Sequence, residues 1–277
     1  MASTDGAGSQ SSTEREHRVD RRAVLRGTFT VSVVGALAGC QSIFGGAKPD
    51  EGPTDEEEET DEPEATEIYF DDWEDGDSDG WEAFVAGGDG SSQVQQLSSP
   101  YIGNNALSLS QSQGGGTEYI LATEEDFDIW GEAWTLRTAI HTTDLDPSEN
   151  YQKYEIIPGY DEANEDDPSV AFGFGVRDDD YNTIPAQFTG EAVESDTTYE
   201  IDWAEDVWYN VEIAHDGAGG YTGTVWGESE TQPTSHNVEA TADVSHDDAQ
   251  PLALHINGPN APEFRMSHAF IELTTPP

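Results

Sequence analysis

The chain has 277 residues, of which 58 are Asp or Glu and only 10 are Lys or Arg, giving a formal net charge of −48 at neutral pH. No surface of this composition could neutralise a phosphate backbone, which excludes nucleic acid as a partner. The carboxylates are spread along the whole chain, and self-repulsion of that size opposes a compact state in dilute buffer. In molar salt the screening length falls to ~3 Å while hydrated carboxylates keep the surface soluble, so the composition reads as that of a salt-adapted protein. Cys40 is the single cysteine, so no internal disulfide forms and stability must come from packing or bound ions.

Arg15, Arg18, Arg21, Arg22 and Arg26 form a basic region, followed by an uncharged stretch from Gly27 to Ala38 that carries Phe29, Val31, Val33, Val34 and Leu37. This is the layout of an export signal. The run Asp20-Arg21-Arg22-Ala23-Val24-Leu25-Arg26 resembles the twin-arginine signal, which is read by machinery that translocates folded proteins. Leu37-Ala38-Gly39-Cys40 resembles the lipobox of prokaryotic lipoproteins, which implies a diacylglycerol on the Cys40 thiol and cleavage just before it. Two acyl chains, at ~0.8 kcal/mol per buried methylene, suffice for stable anchoring. An uncleaved span over residues 27–47 is the competing reading, and its Thr, Ser, Gln and Gly content makes it a poor one. Together with the acidity, these motifs resemble those of haloarchaeal lipoproteins. The expectation is a signal over 1–39, a membrane anchor at Cys40, and the remainder on the outer face of the cell membrane.

After Phe44 the chain carries almost no apolar residue until about Glu67, and Asp55-Glu56-Glu57-Glu58-Glu59-Thr60-Asp61-Glu62 is a like-charge run. Residues 40–66 therefore read as an unfolded acidic spacer. Residues 67–277 hold essentially all the aromatic and β-branched residues, in short runs separated by Gly, Asn, Asp and Pro. In chain order the runs predict strands at Trp81–Ala86, Ala106–Ser110, Glu118–Ala122, Ala133–His141, Tyr154–Pro158, Ala171–Val176, Thr198–Trp203, Val207–Ile213, Tyr221–Gly227, Leu252–Ile256 and Phe264–Leu273. No window holds a helical apolar period over three turns. The class is all-β, and a two-sheet antiparallel β-sandwich is the economical way for so many half-apolar strands to bury one face each.

Phe70-Asp71-Asp72-Trp73-Glu74-Asp75-Gly76-Asp77-Ser78-Asp79-Gly80-Trp81 resembles the opening strand and turn of secreted jelly-roll domains. The stretch Asp206–Ile213, then Gly217–Gly220 and Tyr221–Trp226, is similar to the late hairpin of concanavalin A-like and laminin-G-like sandwiches. Phe264–Leu273 fits their last strand. The resemblance implies a concanavalin A-like jelly roll of the kind used to bind carbohydrate on a sheet face or loop rim.

Asp75, Asp77 and Asp79 with Gly80 form D-x-D-x-D-G, whose alternate carboxylates suit a hard cation such as calcium; Ala86 stands where a calcium loop carries its closing Glu. Glu200, Asp202 and Glu205 match E-x-D-x-x-E, the motif of jelly-roll glycoside hydrolases. There the resemblance implies Glu200 as nucleophile, Asp202 as the residue tuning it, and Glu205 as proton donor. Only Asp206 separates Glu205 from the next strand, which favours an ordinary strand and turn. The seven histidines show no zinc spacing, and His255 and His268, inside predicted strands, read as packing or hydrogen-bonding residues. Trp208 and Trp226 alternate out of phase with their apolar neighbours, which points them at an open face where rings can stack on sugars. The sequence thus points to a non-catalytic, lipid-anchored protein that binds carbohydrate or another envelope polymer. A glycoside hydrolase and a structural or protein-docking component are the alternatives.

Overall fold

The computed structural model describes residues 65–276 apart from 87–89, 98–100, 113–118, 144–152, 163–168, 176–183, 202–203, 205–206, 245–247 and 258–262. The chain divides into Met1–Glu59 and Thr60–Pro277, and every described strand lies in the second unit. Arg21, Arg22, Cys40 and the like-charge run lie outside the described residues.

Among the described residues sixteen strands follow one another: β1 (Thr66–Asp71), β2 (Trp81–Ala86), β3 (Gly90–Gln96), β4 (Asn105–Ser112), β5 (Tyr119–Thr123), β6 (Ala133–Thr143), β7 (Lys153–Ile157), β8 (Ala171–Gly175), β9 (Ile184–Thr189), β10 (Val193–Asp196), β11 (Tyr199–Ile201), β12 (Trp208–Asp216), β13 (Gly220–Gly227), β14 (Val238–Ala242), β15 (Ala253–Asn257) and β16 (Glu263–Thr275). They form two antiparallel sheets. One has the order β10-β14-β13-β12-β6-β16-β4-β3, with β1 continuing the line of β4 along β16; the other has the order β11-β9-β8-β7-β15-β5-β2.

One core fills the space between the sheets. Leu107, Leu136, Ile140, Val211, Ile213 and Leu273 from the nine-stranded sheet meet Leu121, Ile156, Phe172, Phe188, Leu254 and Ile256 from the seven-stranded one. Alternation drives this: in β12 Tyr209, Val211, Ile213 and His215 turn inward, while Glu212 and Ala214 stay half-exposed on the other face. The seven-stranded sheet departs from simple alternation. Every residue of β5 is buried, and Ile120, Ala122, Ile157, Tyr160, Ala171 and Ala253 make a second apolar cluster on its far side. A sheet buried on both faces reads as a continuous apolar run, which is what Tyr119-Ile120-Leu121-Ala122 is.

The opening loop is organised by Asp71. Its carboxylate accepts the Trp73 backbone N–H, the Tyr69 hydroxyl and the Trp81 indole N–H, each at 3.1 Å. This holds Trp73 fully buried in a left-handed conformation (φ 53°) that a bulky residue adopts only when its surroundings require it. In the late hairpin, the Asp216 carboxylate accepts the N–H groups of Ala218 and Gly220, and those hydrogen bonds hold its pKa below the usual range. Gly219 (φ 90°) passes so close to the Ala242 carbonyl that a Cβ would lie 2.7 Å from it.

Gly223 tests the packing between the sheets. A Cβ there would lie 2.4 Å from the Phe172 ring, which is itself wedged against Phe174 and Phe188. Gly223→Ala is therefore expected to destabilise the domain by about 1–3 kcal/mol through overpacking, read as a lower urea midpoint in molar salt.

Candidate functional site

The outer face of the nine-stranded sheet is shaped by an irregularity in β16. Met266 and His268 point into the core, as do Ile271 and Leu273, so the inward phase changes between them. The register against β6 shifts between His268 and Ile271, and the extra residue turns both Ala269 and Phe270 outward. A buried hydrogen-bond chain fixes the bulge. Thr138 donates its hydroxyl to the Phe270 carbonyl at 2.6 Å, so His268 Nδ1, 2.8 Å from the same oxygen, must be the donor to it. His268 Nε2 then accepts from the Tyr154 hydroxyl of the opposite sheet. Complete burial makes a charged ring costly and brings the His268 pKa down to about 3; burial likewise raises that of Tyr154.

Phe270, once turned outward, joins a row of rings. Phe70 and Phe270 stack with centroids 6.5 Å apart and planes at 26°, and Phe270 and Tyr101 stack at 6.3 Å and 30°. Tyr101 leans over Trp208 at 5.9 Å and donates its hydroxyl to Asn210 Oδ1 at 2.5 Å. Among the described residues only three large apolar side chains are exposed. Two of them, Phe70 (45%) and Ile102 (40%), belong to this region.

Beside the rings lies a sheet of hydroxyls and amides. Gln93 donates to Gln95, Gln95 to the Ser108 hydroxyl, and Ser108 meets Ser267 at 2.6 Å, so one hydrogen-bonded line crosses β3, β4 and β16; Ser91 and Ser110 pair next to it. Ser108 and Ser267 are buried, so the line anchors the accessible Gln93 and Gln95 amides from below and holds them in fixed directions. Flat apolar rings flanked by ordered, uncharged hydrogen-bonding groups suit a ligand with both apolar faces and hydroxyls.

The residues singled out from sequence fall in different places. Trp208 and Trp226 do face outward, opposite His141 and Asn210 respectively. Trp208 is nevertheless only 2% exposed, because Tyr101 covers it and Ala106, Ala139 and Ala269 surround it; its expected role as an open stacking face is corrected to that of a floor under Tyr101. Trp226 is half-buried. Glu200 is exposed on the three-residue edge strand β11, while Asp202 and Glu205 lie outside the described residues. Asp75, Asp77 and Asp79 are all exposed, and the first two accept the backbone N–H two residues on, forming successive turns. Among the described residues no three His, Cys, Asp or Glu side chains are grouped to hold a metal ion. The row Phe70–Phe270–Tyr101 was not foreseen, since a bulge and a loop assemble it. The neighbouring signal was visible: from Gly90 to Thr117 there is not one charged residue, in a chain where 58 of 277 are acidic.

A second polar group sits on the outer side of the seven-stranded sheet. The Glu155 carboxylate is fully buried and accepts from Thr189 Oγ1 at 2.7 Å, from His255 Nδ1 at 2.8 Å and from Lys153 Nζ at 2.8 Å. Burial alone would raise its pKa, but the His255 hydrogen bond and the Lys153 charge outweigh it and bring the value down to about 2. Opposite it Gly173 leaves the needed room, since a Cβ there would lie 3.0 Å from Glu155 Cγ. The His255 and His268 roles match the hydrogen-bonding expectation. A groove of 470 Å³ near the late hairpin is lined by Ser195, Thr197, Asp216, His236 and Glu239, but the Asp216 carboxylate is already committed to its turn, and His236 and Glu239 bind each other.

No family model and no curated protein matches the chain. Among solved structures, a carbohydrate esterase (vb_24B_21) of the Shiga toxin-encoding bacteriophage phi24B aligns with a TM-score of 0.50 and 12% identity, over 77% of this chain and 100% of that one. The fold is a two-sheet antiparallel jelly roll. Peanut lectin aligns at a TM-score of 0.44 and 11% identity, over 71% and 97% of the two chains. The structure described as HCR/D-Sa-GBL1/C aligns at 0.42 and 13%, over 70% of this chain and 43% of its own, so this chain spans less than half its length. At these identities the likeness is one of fold.

The buried groups set the acid limb of stability. His268, held neutral when folded, contributes fully above about pH 6.5, and its contribution is lost as pH falls toward 3. Stability is expected to drop by up to ~1.4 kcal/mol per pH unit in that range, measured by urea unfolding in molar salt between pH 7 and 4. Glu155 adds a contribution present above about 4.5 and lost as pH falls through 2. Glu155→Gln is expected to cost about 3 kcal/mol at pH 7, because Lys153 and His255 lose their buried partner, and to flatten the pH dependence below 4.5.

Proposed function

We propose that this chain is a non-catalytic cell-surface lipoprotein that binds carbohydrate through the outer face of its nine-stranded sheet. The observation that carries the reading is the ring row Phe70–Phe270–Tyr101 beside the ordered Ser and Gln line. The row of rings offers apolar surface to sugar C–H groups, and the accessible members of the polar line, Ser91, Gln93, Gln95 and Ser110, offer partners for sugar hydroxyls, with the buried Ser108 and Ser267 holding them in place. The opposite sheet is less suited, since its outer side is closed over an apolar cluster and a neutralised Glu155. The sequence supports the setting: export by the twin-arginine route, a lipid on Cys40, and an acidic spacer lifting the domain from the membrane in a salt-rich medium.

In molar salt, the chain is expected to be retarded on polysaccharide affinity gels, and Tyr101→Ala to weaken that retardation by roughly tenfold, the loss expected for one stacking ring and its hydrogen bond. The comparison holds if the variant keeps the parent's unfolding free energy within about 2 kcal/mol, since Tyr101 is half-buried. A folded chain that no polysaccharide retains would move the assignment to protein docking. Cys40→Ser is expected to shift the protein from the membrane fraction to the medium. Its continued sedimentation with membranes would refute the lipid anchor.

A further inference from the structure

The ring row does not stop at Tyr101. Ala269 and Phe270 share the position opposite Ala139 on β6, Ala139 pairs in register with Asn210 on β12, and Asn210 pairs with Trp226 on β13. One line therefore crosses four strands from Phe270 to Trp226, and Tyr101 fills its middle by donating to Asn210. Phe70 prolongs it past Phe270. Trp226 is half-buried on the outer face, and among the described residues it stacks on no ring and its indole N–H meets no acceptor. Three strand spacings of ~4.8 Å and the 6.5 Å step from Phe270 to Phe70 give the line a length of about 20 Å.

A second line runs beside the first, one outward position further along each strand. Glu272 pairs with Arg137, Arg137 with Glu212, and Glu212 with Thr224. Arg137 Nε lies 2.8 Å from Glu212 Oε2, which also accepts from Gln232, so Glu212 Oε1 has no partner among the described residues. Glu272 is held more loosely, 3.8 Å from Arg137 Nη1. Both carboxylates keep lone pairs open to a donor. A hydroxyl that donates to a carboxylate makes a hydrogen bond about twice as strong as a neutral one. A uronate or sulfate in the same place meets like charge at contact, where the ~3 Å screening length of molar salt gives little relief. The Ser267–Ser108–Gln95 line borders the rings on their other side and carries no charge. Rings that outreach a disaccharide, bordered by acceptors for hydroxyls, suit the run of a chain rather than a single terminal sugar.

We propose that the face binds an extended, uncharged polysaccharide laid across the strands from Phe70 to Trp226, with Trp226 stacking on the sugar farthest from Phe70 and Glu212 and Glu272 accepting hydroxyls along one edge. This rests on the carbohydrate-binding reading above and names its ligand class and length. In molar salt the full chain is expected to be retarded by at least one linear uncharged polymer among hydroxyethylcellulose, galactomannan and arabinoxylan. Carboxymethylation of the retained polymer is expected to weaken binding about tenfold. The hexasaccharide of that polymer should compete at roughly tenfold lower concentration than its disaccharide. Trp226→Ala is expected to remove most of this length advantage and Trp226→Phe to keep most of it. A variant that merely folds poorly loses affinity for both lengths, so the ratio isolates the contact. Glu272→Gln, at a half-buried position that Arg137 reaches only at 3.8 Å, should weaken polymer binding several-fold and does not depend on the fold tolerating a change at Trp226. Retention by charged polymers alone, equal competition by both lengths, or an unchanged ratio in Trp226→Ala would overturn the inference and leave the carbohydrate reading standing. Retention of the folded chain by no polysaccharide would overturn both.

Discussion

The nine-stranded sheet depends on β16, which pairs along one edge with β6 and along the other with β4 and then β1. Its two halves bury opposite sequence phases, Met266 and His268 in one and Ile271 and Leu273 in the other, so one residue must be accommodated outside the ladder. The displaced Phe270 carbonyl would be costly in an apolar core, and Thr138 satisfies it; His268 and Tyr154 then complete a chain that reaches the opposite sheet. One bulge therefore does two things. It ties the two sheets together through a neutral imidazole, and it displays Phe270 on the surface where the ring row forms.

Much of the sandwich was readable in the residues. The runs in β12 and β15 alternate cleanly, and Ala171-Phe172-Gly173-Phe174-Gly175 announces β8 by alternating small and large. The strands that escaped have physical reasons for doing so. β3 is Gly-Ser-Ser-Gln-Val-Gln-Gln, an edge strand with almost nothing apolar to show, and β9 contains Pro185, which sequence rules discount inside a sheet. β14 buries Val238, Ala240 and Ala242, an alternation too small in side-chain volume to stand out. The outward phase of Trp208 and Trp226 was legible, whereas the burial of Trp208 was not, because Tyr101 reaches it from a loop 107 residues away in sequence. Phase is a local property and cover is a tertiary one.

The few positive charges fall at distinct tasks. Arg137 sits between Glu212 and Glu272 where three outward side chains of neighbouring strands would otherwise bring two carboxylates together. Lys153 is half-buried against Glu155 and allows a carboxylate to stay ionised with no exposed surface. In both places a scarce cation answers a local crowding of carboxylate charge, and the overall excess is left to the solvent.

β16 also follows every other described strand in chain order, although it lies in the middle of its sheet. Until it is made, the sheet exists at most as two fragments, β10-β14-β13-β12-β6 and β4-β3, each with a raw edge waiting for the same partner. Such edges are templates for pairing with another chain, and closing them late through long-range contacts is slow. Carboxylates cannot guard the β4-β3 fragment, because residues 90–117 carry no charge; what protects it is polarity, since its Ser and Gln side chains offer an intruding strand little apolar surface to bury.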